Sequence, residues 1–371
     1  MHQLSVWERE SFFQDQDIII VGAGLLGLWT AYEIKQRKPS CKITLIEKET
    51  FPNGASTRNA GFLCFGSPSE LLYDVEKMGL ENMLGIVENR IKGIHKIKQL
   101  FATATIDIDE CGGYEGFSDD FDDAQLDWLN EQIQPITKLS ATYKKVADQT
   151  AIGVKNFGCL VASATEAAIH SGKLVQALIQ KNLSAGVQIL FGCKALIAQD
   201  IGKGTLINTN YGYLKTQQLI YCTNGFSRQL TGADINPARG QVFVTSVIPN
   251  LPLKGTFHFD EGYYYWRNLN NRILIGGARN EDFIGELTTK METTPKIMGA
   301  LRNFIQQYII IPQNFTIDYE WSGIMGFTDT KQPLLWEKDP CTWVACACNG
   351  MGVALSPVFA EKIADKVLQK L

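Results

Sequence analysis

The chain has 371 residues, 45% of them apolar, and a formal net charge of −4 with the two signs interspersed. That is length enough for two domains with real cores, and without a basic stripe to follow phosphates no nucleic acid partner is expected. The stretch before Asp17 has neither a basic start nor an apolar run of signal-peptide length, so a cytoplasmic protein is expected.

The first strong element is Ile18-Ile19-Ile20-Val21, a β-branched run that reads as a buried parallel strand. It passes directly into Gly22-Ala23-Gly24-Leu25-Leu26-Gly27, which opens a helix from Leu25 to about Arg37. In this pattern Gly22 permits the tight turn, Gly24 lets backbone amides approach a pyrophosphate, and Gly27 allows close packing of helix on strand. A second strand, Lys42 to Glu47, ends in an acid about 20 residues beyond the motif, where a carboxylate accepts hydrogen bonds from ribose hydroxyls. An acid there suits a free ribose better than a 2′-phosphate. The stretch is a dinucleotide site, and by itself it leaves NAD and FAD open.

A turn at Phe51 to Gly54 leads into Ala55-Ser56-Thr57-Arg58-Asn59-Ala60-Gly61, small and hydroxyl-bearing residues with one arginine, suited to a loop beside phosphates or to a capped surface turn. Apolar residues at helical spacing follow over Ser69 to Phe101, with breaks expected at Gly79 and Gly85. Thr105 to Asp109 reads as a strand, Gly112-Gly113 as a turn, and Asp122 to about Leu139 as a helix whose acidic start complements the helix dipole. Leu160 to Ile169, a helix over Lys173 to Leu183 and a strand over Val187 to Phe191 make a second strand-helix-strand passage.

Leu206 to Thr209 and Tyr213 to Thr216 read as a hairpin, and Gln218 to Cys222 as a parallel strand ending at Thr223-Asn224-Gly225. From Gln241 the pattern changes to alternating and aromatic strands: Gln241 to Val247, Tyr263 to Arg267, Arg272 to Gly277 and Phe315 to Ser322. These predict an antiparallel sheet, with a helix from about Thr294 to Gln307. Thr342 to Cys348 is a buried strand, Asn349 to Gly352 a tight turn, and Val353 to Leu371 an amphipathic helix. The two apolar stretches Ile18 to Trp29 and Trp343 to Ala360 are too short or too punctuated to predict a membrane span.

Nine scattered cysteines contain no CxxC pair and are expected as free thiols. The four histidines, His2, His95, His170 and His258, have no HxxxH spacing, so no metal ligand set is visible.

The succession of blocks resembles the D-amino-acid-oxidase-like family of FAD-dependent oxidoreductases over nearly the whole chain. The blocks that carry it are Gly22 to Gly27 with Glu47, then GASTRNAG (Gly54 to Gly61), LIYCTNGF (Leu219 to Phe226), PARGQ (Pro237 to Gln241), RILIGGAR (Arg272 to Arg279), WSGIMGFTDTKQP (Trp321 to Pro333) and CNGMGV (Cys348 to Val353). The resemblance implies mixed α/β and α+β architecture: a Rossmann-type FAD-binding domain with a parallel central sheet, plus an antiparallel-sheet substrate domain. The expected division is 1–90, 150–235 and 325–371 for FAD, and 91–149 and 236–324 for substrate.

By the same resemblance, FAD would be held by Gly22, Gly24, Gly27, Glu47, Ser56, Arg58, Asn59, Gly61, Thr223, Asn224, Gly225, Arg239, Asn349, Gly350, Met351, Gly352 and Val353. Tyr263, Tyr265, Arg267, Arg279 and Met325 would meet the substrate. Alternation on the Tyr263 to Arg267 strand puts only one set of side chains on the pocket side. Two departures stand out. Family members that oxidise amino acids often carry an arginine where Met325 stands, and some amine oxidases carry a lysine on the strand matching Arg272 to Gly277, which has none.

The implied reaction is oxidation of a carbon–nitrogen bond in a small amine or amino acid: hydride passes to flavin N5 and the imine hydrolyses, with oxygen or another carrier as the electron acceptor. No catalytic base is expected, and a lone His258 or His170 reads as structural. Cys64, Cys346 and Cys348 are candidates for a covalent flavin link, set against a reading as buried thiols. Rival readings are a 2-hydroxy-acid or glycerol-phosphate dehydrogenase, a tRNA-modification oxidoreductase domain, and a non-catalytic FAD-binding protein.

Overall fold

The computed structural model describes residues 4–346 and 348–371. His2, and Ala347 within the strand expected over Thr342 to Cys348, lie outside the described residues. The chain forms two compact units: Met1–Thr57, Ser171–Pro237 and Met325–Leu371 make the first, and Arg58–His170 and Ala238–Ile324 the second. By compactness, then, 58–90 and 150–170 go with the second unit, whereas the division expected from cofactor binding joins them to the first.

In the first unit the strands run in the order Leu334–Asp339, Thr342–Cys346, Tyr213–Tyr221, Gln16–Val21, Ile43–Ile46, Gln188–Leu190. Gln16–Val21 pairs in parallel with both Tyr213–Tyr221 and Ile43–Ile46. Ile18, Ile19 and Ile20 are wholly buried, as a strand covered on both faces requires. The helix Leu25–Arg37 packs against the last helix, Gly352–Leu368, and both bury apolar residues, Leu28, Ala31 and Ile34 in the one and Ala360, Ile363 and Ala364 in the other.

The expected hairpin forms, but its second arm does not stop at Thr216. Tyr213–Tyr221 is one strand whose first half pairs antiparallel with Thr205–Thr209 and whose second half pairs in parallel with Gln16–Val21. Thr216 belongs to both pairings, so one strand joins a meander to a parallel sheet. The meander's outer strand, Ala195–Asp200, escapes sequence reading because most of it is solvated and lacks alternation.

The second unit is built on an eight-stranded, largely antiparallel sheet in the order Ile317–Phe327, Asn236–Thr245, Ile273–Gly277, Tyr264–Asn268, Thr256–Phe259, Gly113–Phe117, Cys159–Ser163, Tyr143–Lys145. Thr256–Phe259 with Gly113–Phe117 is a parallel pair within it. One face packs on the helix Pro295–Tyr308: Phe257 stacks on Trp266 at 5.0 Å, and Phe304 meets Trp266 edge-on at 4.9 Å. The other face carries Val242, Val244, Leu274 and Tyr265, packed with Ala60, Phe62 and Trp321.

Two expectations fail in this unit. Thr105 to Asp109 is not a strand: Thr103–Ile106 is a helical turn that ends where Asp107 adopts a left-handed conformation at φ 50°, and only Asp109 makes an isolated bridge, to Ala168. Of the two helix breaks expected, Gly79 separates Pro68–Met78 from Leu80–Leu100, and Gly85 stays inside the second helix. No helix among the described residues is long and apolar enough to cross a membrane.

Candidate functional site

In the first unit the glycine motif forms the tight turn and the close helix–strand approach that its spacing predicts. Gly22 sits at φ +104°, and a β-carbon there would lie 2.7 Å from the Cys222 carbonyl oxygen; one at Gly27 would lie 2.0 Å from the Gly22 carbonyl oxygen. Glycine is therefore required for the turn at the first position and for the close approach at the second. The helix Leu25–Arg37 starts at Gly24 with no side-chain cap from its own N-cap residue. Its first amides are tied from a distance: Ala23 N–H donates to Glu47 Oε2 at 3.1 Å and Leu25 N–H to Ser56 Oγ at 2.8 Å. Glu47 and Ser56 thus stand at the positive end of the helix, the place where a pyrophosphate is favoured.

A second helix start shares that sheet edge. Thr342–Cys346 and Gln16–Val21 both run parallel to Tyr213–Tyr221, so the helices that follow them begin at the same carboxyl edge. Gly352–Leu368 also lacks a side-chain cap, and it is entered through Asn349 and Gly350, both at positive φ. Thr328 N–H donates to Asn349 Oδ1 at 2.9 Å and holds that turn. Met325 lies beside it, its sulfur 3.9 Å from where a β-carbon on Gly350 would stand. Thr223 ends the central strand, followed by the short helical turn Asn224–Phe226, against which Gly326 packs closely. Met351 occupies the position before the last helix without capping it, and Val353 is buried within that helix. The first unit thus gathers Gly22, Gly24, Gly27, Glu47, Ser56, Thr223, Asn224, Gly225, Met325 and Asn349 to Val353.

The other expected residues lie in the second unit. Arg58 donates from Nη1 to the Ser322 carbonyl at 2.9 Å, and Trp321 Nε1 donates to the Arg58 carbonyl at 3.0 Å. Asn59 Oδ1 accepts from Gly61 N–H at 2.9 Å, closing the turn before Phe62–Leu63. Alternation is resolved: Tyr265 and Arg267 share the face that carries Phe62, while Tyr264 and Trp266 enter the aromatic core opposite. Burial pushes the Tyr265 hydroxyl up to about 12, against the opposing pull of Arg279. Arg279 itself stacks over the rings of Tyr263, at 4.9 Å, and Phe283, at 5.5 Å.

Arg267 is 7% exposed; its Nη2 donates to the Ile169 carbonyl at 3.1 Å, and its Nε has no partner among the described residues. Burial lowers its pKa, the nearby charge of Asp109 opposes that shift, and no ion pair forms among the described residues.

Arg239 departs from expectation. Its Nε and Nη2 grip the buried Glu286 carboxylate at 2.9 and 2.7 Å, and Nη1 reaches Glu292 at 3.5 Å. A guanidinium held bidentately in a buried ion pair anchors the end of the short helix Phe283–Glu286, so its charge is already matched within the second unit.

Sequence reading also missed a convergence. Cys64, Glu166 and His258 meet in the second unit, all buried. No spacing signal reveals them, since they come from three separate passages of the chain. The thiols of Cys64 and Cys346 are both raised by burial, Cys346 to about 11, as expected of core cysteines, and all nine cysteines are unpaired.

Residues 17–366 match the family described as FAD dependent oxidoreductase, and the chain belongs to it. Its cofactor is FAD, and the glycine turn, the acid at the end of the second strand and the two open helix starts fit a dinucleotide. The chain is 22% identical over 380 residues to the probable oxidoreductase OrdL of Rhizobium meliloti (strain 1021), covering 95% of this chain and 83% of that one. It is 22% identical to a bifunctional ThiO/ThiG protein of Trichormus variabilis, covering 96% of this chain but 53%, about half, of that protein. The fold is that of L-proline dehydrogenase from P. horikoshii, with TM-score 0.77 at 18% identity, covering 96% of this chain and 94% of that one.

Proposed function

We propose that this oxidoreductase oxidises the carbon–nitrogen bond of a small amino acid or carboxylate-bearing amine, with oxygen or another carrier taking the electrons. Bound FAD supplies the hydride acceptor. In this reading Gly22, Gly24, Gly27 and Glu47 hold its ADP half, and Ser56, with Arg58, Asn59 and Gly61 ordering the loop behind it, borders the pyrophosphate. The amides from Gly350 to Val353, at the positive end of the last helix, favour negative charge on the reduced ring. Thr223, Asn224 and Gly225 shape the sheet edge beside them.

The single observation that carries the substrate class is Arg267, a buried arginine that makes no ion pair among the described residues, on the same strand face as Tyr265. The nearby charge of Asp109 offsets only part of the cost of burying this cation, and a substrate carboxylate would offset more of it. Arg267 then does the work that an arginine at position 325 would do in relatives. Tyr265 and Arg279, which stacks over Tyr263, set the shape and charge of the amine end. The fold relative from P. horikoshii, an L-proline dehydrogenase by name, agrees with an amino-acid substrate. A cytoplasmic setting belongs to the same reading, supported by nine unpaired cysteines.

An anaerobic screen of amino acids, simple amines and 2-hydroxy acids, read by loss of flavin absorbance, tests it. Amino acids should bleach the flavin, and Arg267→Gln should raise their KM about tenfold or more, in line with losing one charge-assisted bond. Bleaching by hydroxy acids alone overturns the reading.

A further inference from the structure

We propose that Cys64, Glu166 and His258 form a zinc site, independent of the cofactor cradle. The Cys64 sulfur, a Glu166 carboxylate oxygen and an imidazole nitrogen of His258 all lie within 4.8 Å of one another. Their residues are 4%, 2% and 8% exposed. His258 Nε2 and Glu166 Oε2 are hydrogen-bonded at 3.0 Å, a contact that an ion entering between them would replace.

The backbone brings them together by design of the local ribbon. Phe62–Leu63 and Ala167–Ala168 pair antiparallel with Leu63 opposite Ala167, so the next position on each strand sets Cys64 opposite Glu166. His258 comes from the adjoining sheet strand, Thr256–Phe259. The ion would fasten the two-stranded ribbon to the large sheet.

The surroundings are shaped for these ligands. A β-carbon at Gly113 would lie 2.3 Å from the Glu166 carboxylate, so only glycine lets that side chain lie flat on its strand. Thr256 Oγ1 donates to Glu166 Oε2 at 2.8 Å, and Phe62 meets the His258 ring edge-on at 5.3 Å. Such supporting contacts orient metal ligands.

Charge points the same way. Beside His258 in register lies a second buried acid, Glu115, whose oxygens take hydrogen bonds from Ser67 Oγ and from the Ser69 amide and hydroxyl and form no ion pair among the described residues. The neighbouring cation, Arg90, is paired with Glu70. Two buried carboxylates and a thiol surround one imidazole that is hydrogen-bonded to Glu166, and a divalent cation entering there would replace that bond and the thiol proton. Thiolate, imidazole and carboxylate together suit zinc rather than calcium or magnesium, which prefer all-oxygen sites, and three protein ligands leave one position for water.

The test uses the FAD-loaded full chain, supplied with zinc sulfate, dialysed, and assayed by plasma mass spectrometry and zinc-edge X-ray absorption. The expected result is one zinc per chain with a single sulfur ligand at about 2.3 Å. Cys64→Ser and His258→Gln should each lose the zinc while keeping their flavin spectrum. A yellow wild-type protein that retains no zinc overturns the proposal, as does bound zinc with only oxygen and nitrogen neighbours. Zinc held equally by wild type and Cys64→Ser also overturns it. The wild-type measurements decide the matter even where a variant fails to fold.

Discussion

Two buried arginines of the second unit illustrate how one residue type takes opposite roles. Arg239 is 4% exposed against Glu286 at 2%, and Gln241 Nε2 adds a third bond to the same carboxylate at 2.8 Å. Removing only the arginine leaves a buried carboxylate without its cation. Arg239→Met should therefore destabilise the chain by about 3–5 kcal/mol, and the double change with Glu286→Leu should recover most of the loss. Urea unfolding checks both, and the flavin-to-protein absorbance ratio should stay constant in the folded variants, because this arginine is already matched by Glu286 at the end of the helix Phe283–Glu286. Arg267 is the contrast, also buried but with no ion pair among the described residues and its Nε unbonded.

At the scale of elements, the junction of Gln16–Val21 with Leu25–Arg37 is the most constrained passage of the first unit. The helix can lie on its strand only because position 27 carries no side chain, with the Gly22 carbonyl 2.0 Å from where a β-carbon would stand. Gly27→Ala must push the helix start away from the sheet, at about 1–3 kcal/mol for overpacking. The displaced amides are those from Ala23 to Leu25 that Glu47 and Ser56 now hold. Flavin content, measured by absorbance after gel filtration, should fall further than the melting temperature does. Local pattern sufficed to read this element, because strand, turn and helix are all set by residues close in sequence. The sheet of the second unit was only half legible. Its aromatic strands announce themselves by alternation, but Gly113–Phe117 and Thr256–Phe259 are short, and they pair in parallel across a long stretch of chain.

At the scale of the whole molecule, neither unit is a continuous piece of chain. The neighbour of Gln16–Val21 in its sheet is Tyr213–Tyr221, and the helix packed on Leu25–Arg37 is the last one, Gly352–Leu368. A fragment of residues 1–170 keeps the glycine motif yet lacks both. It should show no cooperative thermal transition by circular dichroism and bind no flavin, whereas the full chain should do both. Nucleotide binding here depends on a sheet completed from distant segments, not on the motif alone.

What the sequence by itself determined is the dinucleotide turn, its acid at Glu47, the second glycine turn before the last helix, and through their order the family and FAD. These are short-range features, dictated by backbone conformation and by periodicity within single elements. Only the tertiary structure decided which side of the Tyr264–Asn268 strand carries Tyr265 and Arg267, that Arg239 is bound to Glu286 some forty-seven residues away, and that Cys64, Glu166 and His258 converge. Those outcomes depend on strand register and on burial of charge, which arise from contacts between residues far apart in the chain and leave no periodic trace in it.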